Sequence, residues 1–349
     1  MMRKPNIAIT MGDPAGIGPE LIIKVLSRET IYENCSPIVV GDPKVMGDIC
    51  AIVGASLRIR AIEELLEAHF SPSDVNVLCP EGVHIEHVPL GKVDPTMGHA
   101  AALCLRKAFE LAMDGQVQGV VSAPLNKEAF HLAGYEYADE LEYLAELTKS
   151  QKLFMFGVAN SIWTVMVTGH IAFRDIVNFI EKDRIFGYIE KMHGVLKQVG
   201  IADPRIAVAA LNVHAGEGGL FGHEEIDEIE PSIQQAKQRG FNVQGPVPAD
   251  TVFVRALEDD FDGIVYMYHD QANIARKLQP KEKGATFFIG LPVPCGTTVH
   301  GTAFDKSGKG IADPGSLAAA LEYTIRLASL TRGDKLCPEK SQEMGRVSD

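Results

Sequence analysis

The segment Asn6-Ile-Ala-Ile-Thr-Met-Gly-Asp-Pro-Ala-Gly-Ile-Gly-Pro-Glu20 joins a strand-like apolar run, a glycine-rich turn and the start of a helix. Pro19 suits the first turn of a helix, and the glycines before it suit a tight connection. The spacing Gly12-x-x-x-Gly16-x-Gly18 differs from that of a dinucleotide fingerprint. The segment therefore predicts a structured strand-to-helix turn beside a cleft.

The same alternation of apolar runs and helical patterns continues along the 349 residues. The expected strands are Ile7–Thr10, Ser36–Val40, Gly119–Ser122, Leu153–Val158, Ile162–Val167, Arg205–Leu211, Gly263–Tyr268 and Ala285–Ile289. The expected helices are Pro19–Leu26, His99–Met113, Glu140–Thr148, Asp183–Val199, Glu224–Arg239 and Ser316–Leu330. This order indicates an α/β fold with largely parallel sheets, and the length suits two domains.

Composition limits the classes of function. The apolar runs, such as Ile206–Leu211, are far shorter than the ~20 residues of a membrane span, and the N-terminus shows no secretion signal. The six cysteines are dispersed without a C-x-x-C pair, which favours reduced thiols and a cytoplasmic location. With a net charge of −13 and no basic stripe, we expect no nucleic-acid partner, and an anion site must be built locally.

Three of the eleven histidines share one context, because each comes just after a probable strand. They are His170, His214 and His269. Ligand groups in α/β proteins gather at the carboxyl ends of strands, so three converging imidazoles would form a Zn-type site with open positions. The alternative is that each one is an ordinary loop or core histidine, and spacings of 44 and 55 residues are no local metal signature.

Neighbouring residues extend this pattern. A glycine-rich turn follows His214, and Asp270 directly after His269 could orient that imidazole. Lys277 is a candidate proton donor or anion anchor, or else a solvated surface charge. A second glycine-rich loop, His300–Pro314, precedes the last helix and reads either as a ligand loop or as an ordinary surface loop.

Along nearly its whole length the chain resembles the 4-hydroxythreonine-4-phosphate dehydrogenase family of pyridoxal phosphate biosynthesis. The matching segments are Met11–Glu20, Ser122–Lys127, Leu211–Gly219, Gly245–Thr251 and Tyr268–Gln271. The resemblance implies a two-domain fold like that of isocitrate and isopropylmalate dehydrogenases, with the active-site cleft between the domains. It also implies the three histidines as metal ligands, in a site shared across a homodimer.

The His300–Pro314 loop resembles the cofactor loop of those dehydrogenases. The resemblance implies NAD as the cofactor, because Asp305 matches the acidic position that binds the ribose 2′-hydroxyl and would repel a 2′-phosphate. The other cofactor-binding positions that it implies are Gly301, Thr302, Ala303 and Asp313. The implied domains are 1–128 with 298–335 on the cofactor side and 129–297 for metal, substrate and dimerisation, followed by a tail at 336–349.

The chain departs from the family pattern at the substrate-binding positions. Glu140 and Leu141 replace a histidine and a threonine that hold the phosphorylated substrate in the family, and Thr286 and Cys295 replace a substrate-contacting asparagine and arginine. Lys277 is retained. Losing the arginine and the histidine while gaining a carboxylate makes a phosphate site less favourable, so we expect a hydroxy acid other than 4-phosphohydroxythreonine, either a sugar-acid phosphate or a dihydrodiol carboxylate.

The expected reaction is oxidation of a secondary alcohol β to a carboxylate, with decarboxylation of the β-keto acid. A divalent metal (Zn, or alternatively Mg, Mn, Co or Ni) would activate the alcohol oxygen. Lys277 would anchor the carboxylate or reprotonate the enolate, while Asp250 and Asp270 would support the metal ligands. Two other classes stay open: a phosphate acyltransferase and a non-catalytic protein that binds a metabolite.

Overall fold

The computed structural model describes residues 4–137, 139–280 and 284–330, and these form an α/β fold around one 12-stranded sheet. The strands are β1 (Asn6–Thr10), β2 (Ser36–Val40), β3 (Arg58–Ile62), β4 (Asp74–Leu78), β5 (Gly119–Ser122), β6 (Phe154–Ala159), β7 (Ile162–Met166), β8 (Ile206–Ala209), β9 (Val243–Val247), β10 (Gly263–Tyr266), β11 (Gly284–Ile289) and β12 (Cys295–Thr298). The predicted tail at 336–349 lies outside the described residues.

The helices pack around this sheet. They are α1 (Gly18–Leu26), α2 (Glu29–Asn34), α3 (Pro43–Val53), α4 (Pro95–Met113), α5 (Lys127–Leu132), α6 (Glu140–Thr148), α7 (Lys182–Gln198), α8 (Glu230–Gln238), α9 (Ala249–Leu257), α10 (His269–Lys277) and α11 (Gly315–Leu330). Within the described ranges, no helix is long and apolar enough to cross a membrane.

Strand direction reverses at three successive pairs in the middle of the sheet. The strand order is β3-β4-β2-β1-β5-β12-β11-β6-β7-β10-β8-β9, and the pairs are parallel except β12–β11, β11–β6 and β6–β7. Three successive antiparallel pairings leave β7, β10, β8 and β9 running opposite to β1, β5 and β12. The prediction of an α/β protein with a largely parallel sheet is confirmed, while the division into two domains stays a prediction.

Several helices begin where a polar side chain satisfies the free N–H groups of the first turn. Asp42 accepts hydrogen bonds from the backbone of Lys44 and Val45, and Pro43 occupies the first position of α3. Asp94 caps α4 in the same way, and Asp139 accepts from the backbone N–H of Glu142 at the start of α6. The last of these caps fixes the position of Glu140.

The core lies on both faces of the sheet. Its largest fully buried side chains include Trp163, Tyr266, Phe109, Phe156 and Phe287. Each such side chain contributes roughly 1.5–3 kcal/mol through burial, so the strand framework under the loops is stable. The candidate functional residues are therefore attached to a firm scaffold at the strand ends.

Candidate active site

Three neighbouring parallel strands carry the three candidate histidines. β10 lies between β7 and β8 and pairs with both in parallel. The strands end at Met166, Ala209 and Tyr266, three to five residues before His170, His214 and His269. All three histidines therefore follow the carboxyl ends of adjacent strands, where ligand sites of α/β proteins form.

The rings of His170 and His269 form a close pair, with their centres 5.5 Å apart. His269 is the first residue of α10, and its Nδ1 lies 2.7 Å from Oδ1 of Asp270. A carboxylate at Nδ1 leaves Nε2 as the free nitrogen, which is the usual arrangement of a metal-binding histidine. Because metal–nitrogen bonds are about 2.1 Å long, two rings at this separation fit one ion.

His214 occupies a turn in a strained conformation. Residues 214–218 all have left-handed backbone angles, including non-glycine φ values of 50° at His214 and 43° at Glu217. Nδ1 of His214 lies 2.8 Å from Oε1 of Glu217, which again leaves Nε2 free. In the described part of this single chain, however, no three His, Cys, Asp or Glu side chains come together as a metal-binding group. The structure thus brings together His170 and His269 but leaves His214 outside the pair.

Glu225, which the sequence reasoning missed, holds the His214 turn in place. Its buried carboxylate accepts hydrogen bonds from the backbone N–H groups of Leu211 (2.8 Å) and Asn212 (2.7 Å). The side-chain amide of Asn212 also donates to it, at 2.8 Å. Asp250, the other acidic candidate, is exposed in the first turn of α9, and α9 contacts the same turn.

The two glycine loops form one unit. The backbone N–H of Ile17 donates to the carbonyl of Thr302 at 3.1 Å, and the hydroxyl of Ser307 donates to the carbonyl of Ala15 at 2.7 Å. A Cβ on Gly16 would stand 2.9 Å from Cβ of Thr302, so only glycine permits this approach. The first loop therefore supports the second one, which is the predicted cofactor loop.

Glu20 and Lys24 of α1 hold the far end of the predicted cofactor loop through hydrogen bonds. The buried carboxylate of Glu20 accepts from the backbone N–H groups of Ala312 (2.6 Å) and Gly310 (3.2 Å). Lys24 donates to the carbonyls of the same two residues and to Glu20. The bonds from α1 to Gly310 and Ala312 join residues about 290 positions apart, so no local sequence pattern could have revealed them.

The predicted cofactor residues occupy different environments in this loop. Thr302 is buried, Ala303 has a left-handed φ of 42°, and Gly301 and Asp305 are exposed. Asp313 accepts a hydrogen bond from the backbone N–H of Gly315 at 2.7 Å, at the start of α11. The exposed carboxylate of Asp305 is therefore available to a ligand, whereas Asp313 orders the helix start.

Asp13, which also escaped the sequence reasoning, lies buried in the first glycine loop. Oδ1 accepts from the backbone N–H of Ala15 at 2.8 Å, and Oδ2 is buried without a hydrogen-bond partner among the described residues. Burial raises the pKa of this carboxyl to about 6, although the bond from Ala15 opposes the shift. A titratable acid thus stands inside the loop unit.

Glu140 and Cys295 are neighbours beside β5 and β12. Glu140 is half-buried, but its Oε1 atom is buried without a hydrogen-bond partner among the described residues. Burial raises its pKa to about 7, and a hydrogen bond from Ser122 only partly offsets this effect. Cys295 is fully buried, and burial with the nearby Glu140 raises the pKa of its thiol. Leu141 packs against the hydrophobic core.

Lys277 and Thr286 lie at the other end of α10 from the histidine pair. Lys277 lines a cavity of about 300 Å³ together with Arg276 and His300, the first residue of the predicted cofactor loop. Thr286 accepts a hydrogen bond from Nη1 of Arg276 at 3.4 Å. At about 1.5 Å per residue, the helix separates Lys277 from His269 by about 12 Å. One chain thus places its lysine and its histidine pair at different ends of a helix.

The sheet, the histidines at its strand ends and the paired glycine loops define an α/β enzyme that acts on a small molecule. Comparison with known proteins adds the particular family. The chain belongs to the family described as pyridoxal phosphate biosynthetic protein PdxA, whose model matches residues 33–324. The predicted resemblance is therefore confirmed.

Relatives with solved structures or assigned names agree with this family. D-threonate 4-phosphate dehydrogenase of Cupriavidus necator is 42% identical over 330 residues, covering 93% of this chain and 98% of that protein. The crystal structure of 4-hydroxythreonine-4-phosphate dehydrogenase from Klebsiella pneumoniae matches with a TM-score of 0.82 and 38% identity, covering 93% of this chain and 98% of that one. The prediction of a dehydrogenase of this type is confirmed.

Two more distant structures bear on the alternatives. A terephthalate 1,2-cis-dihydrodiol dehydrogenase from Burkholderia xenovorans LB400 is 27% identical, with a TM-score of 0.65 and coverage of 93% of this chain and 98% of that one. A branched-chain phosphotransacylase from Enterococcus faecalis V583 is 13% identical, with a TM-score of 0.50 and coverage of 92% and 99%. The second likeness shows a shared fold alone.

Proposed function

We propose that the protein is a metal-dependent, NAD-linked dehydrogenase that oxidises a secondary alcohol β to a carboxylate and releases carbon dioxide from the β-keto acid. The observation that carries this proposal is the pair His170 and His269, whose rings lie 5.5 Å apart in a chain of a dehydrogenase family. A bound divalent metal would lower the pKa of the substrate hydroxyl and stabilise charge on its oxygen, and NAD would accept the hydride.

His170, His214 and His269 are the residues that would hold the metal. The donor set fits, because carboxylates at Nδ1 of His214 and His269 leave Nε2 of each ring free. Three neutral imidazoles favour Zn, while Mg, Mn, Co and Ni suit other versions of an open site. For one ion to bind all three imidazoles, the strained turn that Glu225 holds must bring His214 next to the pair of His170 and His269.

A homodimer with shared active sites explains why Lys277 and the histidine pair are separated within one chain. Several exposed apolar side chains lie close in sequence to one of the three histidines, and clusters of such side chains on a surface mark interaction sites. They include Phe173, Val213, Leu220, Phe221 and Ile274. Pairing these surfaces would bring the histidines of one copy toward the lysine end of another, within reach of one small substrate.

The other proposed roles follow from position. Asp305, exposed in the cofactor loop, would accept the ribose 2′-hydroxyl of NAD and exclude a 2′-phosphate. Asp270 would orient His269, and Asp250 would support the His214 turn from α9. Lys277 would hold the substrate carboxylate and return a proton to the enolate carbon after carbon dioxide leaves.

The substrate is a hydroxy acid, either a sugar-acid phosphate or a dihydrodiol carboxylate. The first class includes D-threonate 4-phosphate, named for the Cupriavidus relative, and the second corresponds to the name of the Burkholderia structure. Glu140 and Leu141 disfavour a phosphate at their positions, because neither can donate a charged hydrogen bond.

The free thiols of the described cysteines, Cys295 among them, agree with a cytoplasmic enzyme.

The test is a His214→Ala variant assayed for bound metal and for NADH formation on hydroxy acids with and without phosphate. We expect loss of both metal and turnover, and full activity would refute the scheme. Mixing His214→Ala with Lys277→Ala subunits should restore part of the activity, because one shared site then regains both groups. If verified mixed dimers stay inactive, the active site is not shared between subunits, and each chain has its own complete site.

The same assay separates the two alternative classes. A phosphate acyltransferase would transfer acyl groups without a change in absorbance at 340 nm, and a non-catalytic paralogue would bind metabolites without turnover. The family membership and the intact histidine set favour the dehydrogenase over both. Elemental analysis of the purified protein adds a direct measure of bound metal.

A further inference from the structure

Arg276 is a partly buried cation whose described partners are neutral. Its Nη2 donates to Oδ1 of Asn273 at 2.6 Å, and its Nη1 donates to the hydroxyl of Thr286 at 3.4 Å. Burial lowers the pKa of the guanidinium, and no charged neighbour among the described residues offsets this. An Arg side chain has five N–H donors, so these two bonds leave capacity for an anion.

The sheet beneath Arg276 leaves room for its guanidinium, because a glycine lies there. A Cβ on Gly157 would collide with Nη1 of Arg276, so the guanidinium rests directly on the backbone of β6. Gly157 pairs with Thr286 across the antiparallel β6–β11 ladder, which places both on the face that carries Arg276. Because three elements position the guanidinium, its direction is set by the fold.

The cavity beside Arg276 is small, and the described residues that line it carry no carboxylate. Its volume is about 300 Å³, and the described residues that line it include Arg276, Lys277, Gln279 and His300, with no Asp or Glu among them. A pocket lining of this kind is unusual in a chain whose net charge is −13. The volume is at the lower limit for ligand pockets, so it suits a small acid and not a dinucleotide.

We propose that Arg276 and Lys277 form the anion-binding subsite of this enzyme, which holds the carboxylate or phosphate of the hydroxy-acid substrate. The inference rests on the proposed dehydrogenase function and names the residue that selects the anionic substrate. Arg276 thereby supplies, from α10, a guanidinium in place of the family's arginine, whose position holds Cys295 in this chain, a buried thiol that cannot bind an anion. A fork of N–H donors next to an ammonium group matches both carboxylate and phosphate oxygens.

The first test measures binding without turnover. Inorganic phosphate and malonate are titrated into the full-length protein by calorimetry, with Arg276→Met and Gly157→Ala as variants. Gly157→Ala displaces the guanidinium while leaving Arg276 in the sequence, which guards against a folding defect in Arg276→Met. Arg239→Met is the matched control, because Arg239 forms an exposed ion pair with Glu190. We expect Kd to rise about 10- to 100-fold in both variants and to stay unchanged in the control.

Binding of phosphate alone or of malonate alone, lost in both variants, supports the subsite and identifies the anion it prefers. Absence of binding in the wild-type protein, or equal binding in Arg276→Met, overturns the proposal. Turnover gives an independent readout: KM for the hydroxy acid should rise about 10-fold or more in Arg276→Met, with partial rescue in Arg276→Lys. If the wild-type protein binds the probes through Arg276 but never reduces NAD, the proposed function fails and the subsite stands.

Discussion

The histidine region and the glycine-loop region lie at the ends of oppositely directed strands, and they differ in how complete they are. Around the glycine loops, Glu20, Lys24 and Ser307 join the two loops within one chain through buried or part-buried hydrogen bonds. Around the histidines, two rings are paired, a third stands apart on a strained turn, and apolar side chains are exposed. The first region is organised by folding alone, whereas the second needs further groups to become a site.

The left-handed backbone of the His214 turn carries an energetic cost. Left-handed non-glycine residues such as His214 and Glu217 cost of order 1–3 kcal/mol each, so the turn persists only because neighbours hold it. Glu225 provides that hold with three hydrogen bonds. Removing single carboxylates from either region therefore tests the contrast directly.

The largest effect is expected from Glu225→Ala. Without its carboxylate, the His214 turn should relax, and metal affinity should fall about 10- to 100-fold, as it does when supporting partners of metal ligands are removed. Metal titration against a chelator measures this change. Glu190→Ala, which removes a surface carboxylate on α7, is the control. Unchanged metal affinity in Glu225→Ala would mean that the turn holds its shape without Glu225.

An intermediate effect is expected from Glu20→Gln. The amide keeps one acceptor oxygen but loses the charge that faces Lys24 and the loop N–H groups. KM for NAD should rise about tenfold, which corresponds to about 1.4 kcal/mol, while kcat changes little. Hydrogen exchange at the Gly310 and Ala312 amides should speed up even without NAD.

Glu29→Gln on the exposed start of α2 is the matched control for Glu20→Gln. A fall in kcat with KM unchanged would contradict a positioning role for Glu20. Equal hydrogen exchange at Gly310 and Ala312 in the variant and the wild type would do the same.

The smallest effect concerns pH and Glu140. Its pKa is raised from 4.5 to about 7 in the folded chain, so the folded state keeps a proton that the unfolded state loses. This stabilising contribution is complete below pH 4.5 and disappears as pH rises through about 7. Since Glu140 is half-buried, we expect a loss of about 1 kcal/mol over this window.

Glu140→Gln should remove this part of the pH dependence of unfolding, and Glu142→Gln should keep it. Denaturant unfolding at several pH values gives the measurement. Asp13 contributes a similar slope in both variants, because its pKa is also raised, to about 6. Identical pH profiles for the wild type and Glu140→Gln would show that Glu140 ionises normally.

Much of the framework could be predicted because its residues carry local signals. β2, β5 and α6 have the predicted bounds, because continuous apolar runs indicated the two strands and a helical pattern indicated the helix. β12 and β9 were missed because Gly296, Gly245 and Pro246 interrupt the apolar pattern, and tertiary pairing supplies what propensity lacks. For α3, the available signal was Asp42 before Pro43, a cap followed by a helix-starting proline.

The site was less predictable, since its decisive contacts join distant parts of the chain. The positions of the histidines after strands were correct, because strand ends can be located from apolar runs. Glu20, Glu225 and Arg276 could not be recognised, since each looks like a surface charge until its partner is known. In Arg276 the deciding feature was the absence of a side chain at Gly157, which no local pattern connects to it.

The contact between Glu20 and Ala312 has a consequence for synthesis of the chain. These residues are 292 positions apart, so the ribosome needs roughly 15–60 s to deliver the second after the first. During that interval the carboxylate on the first helix lacks its backbone partners, and β12 has yet to join β5. The N-terminal part of the fold is therefore completed last, when the C-terminal segment has been synthesised and packs against the first helix.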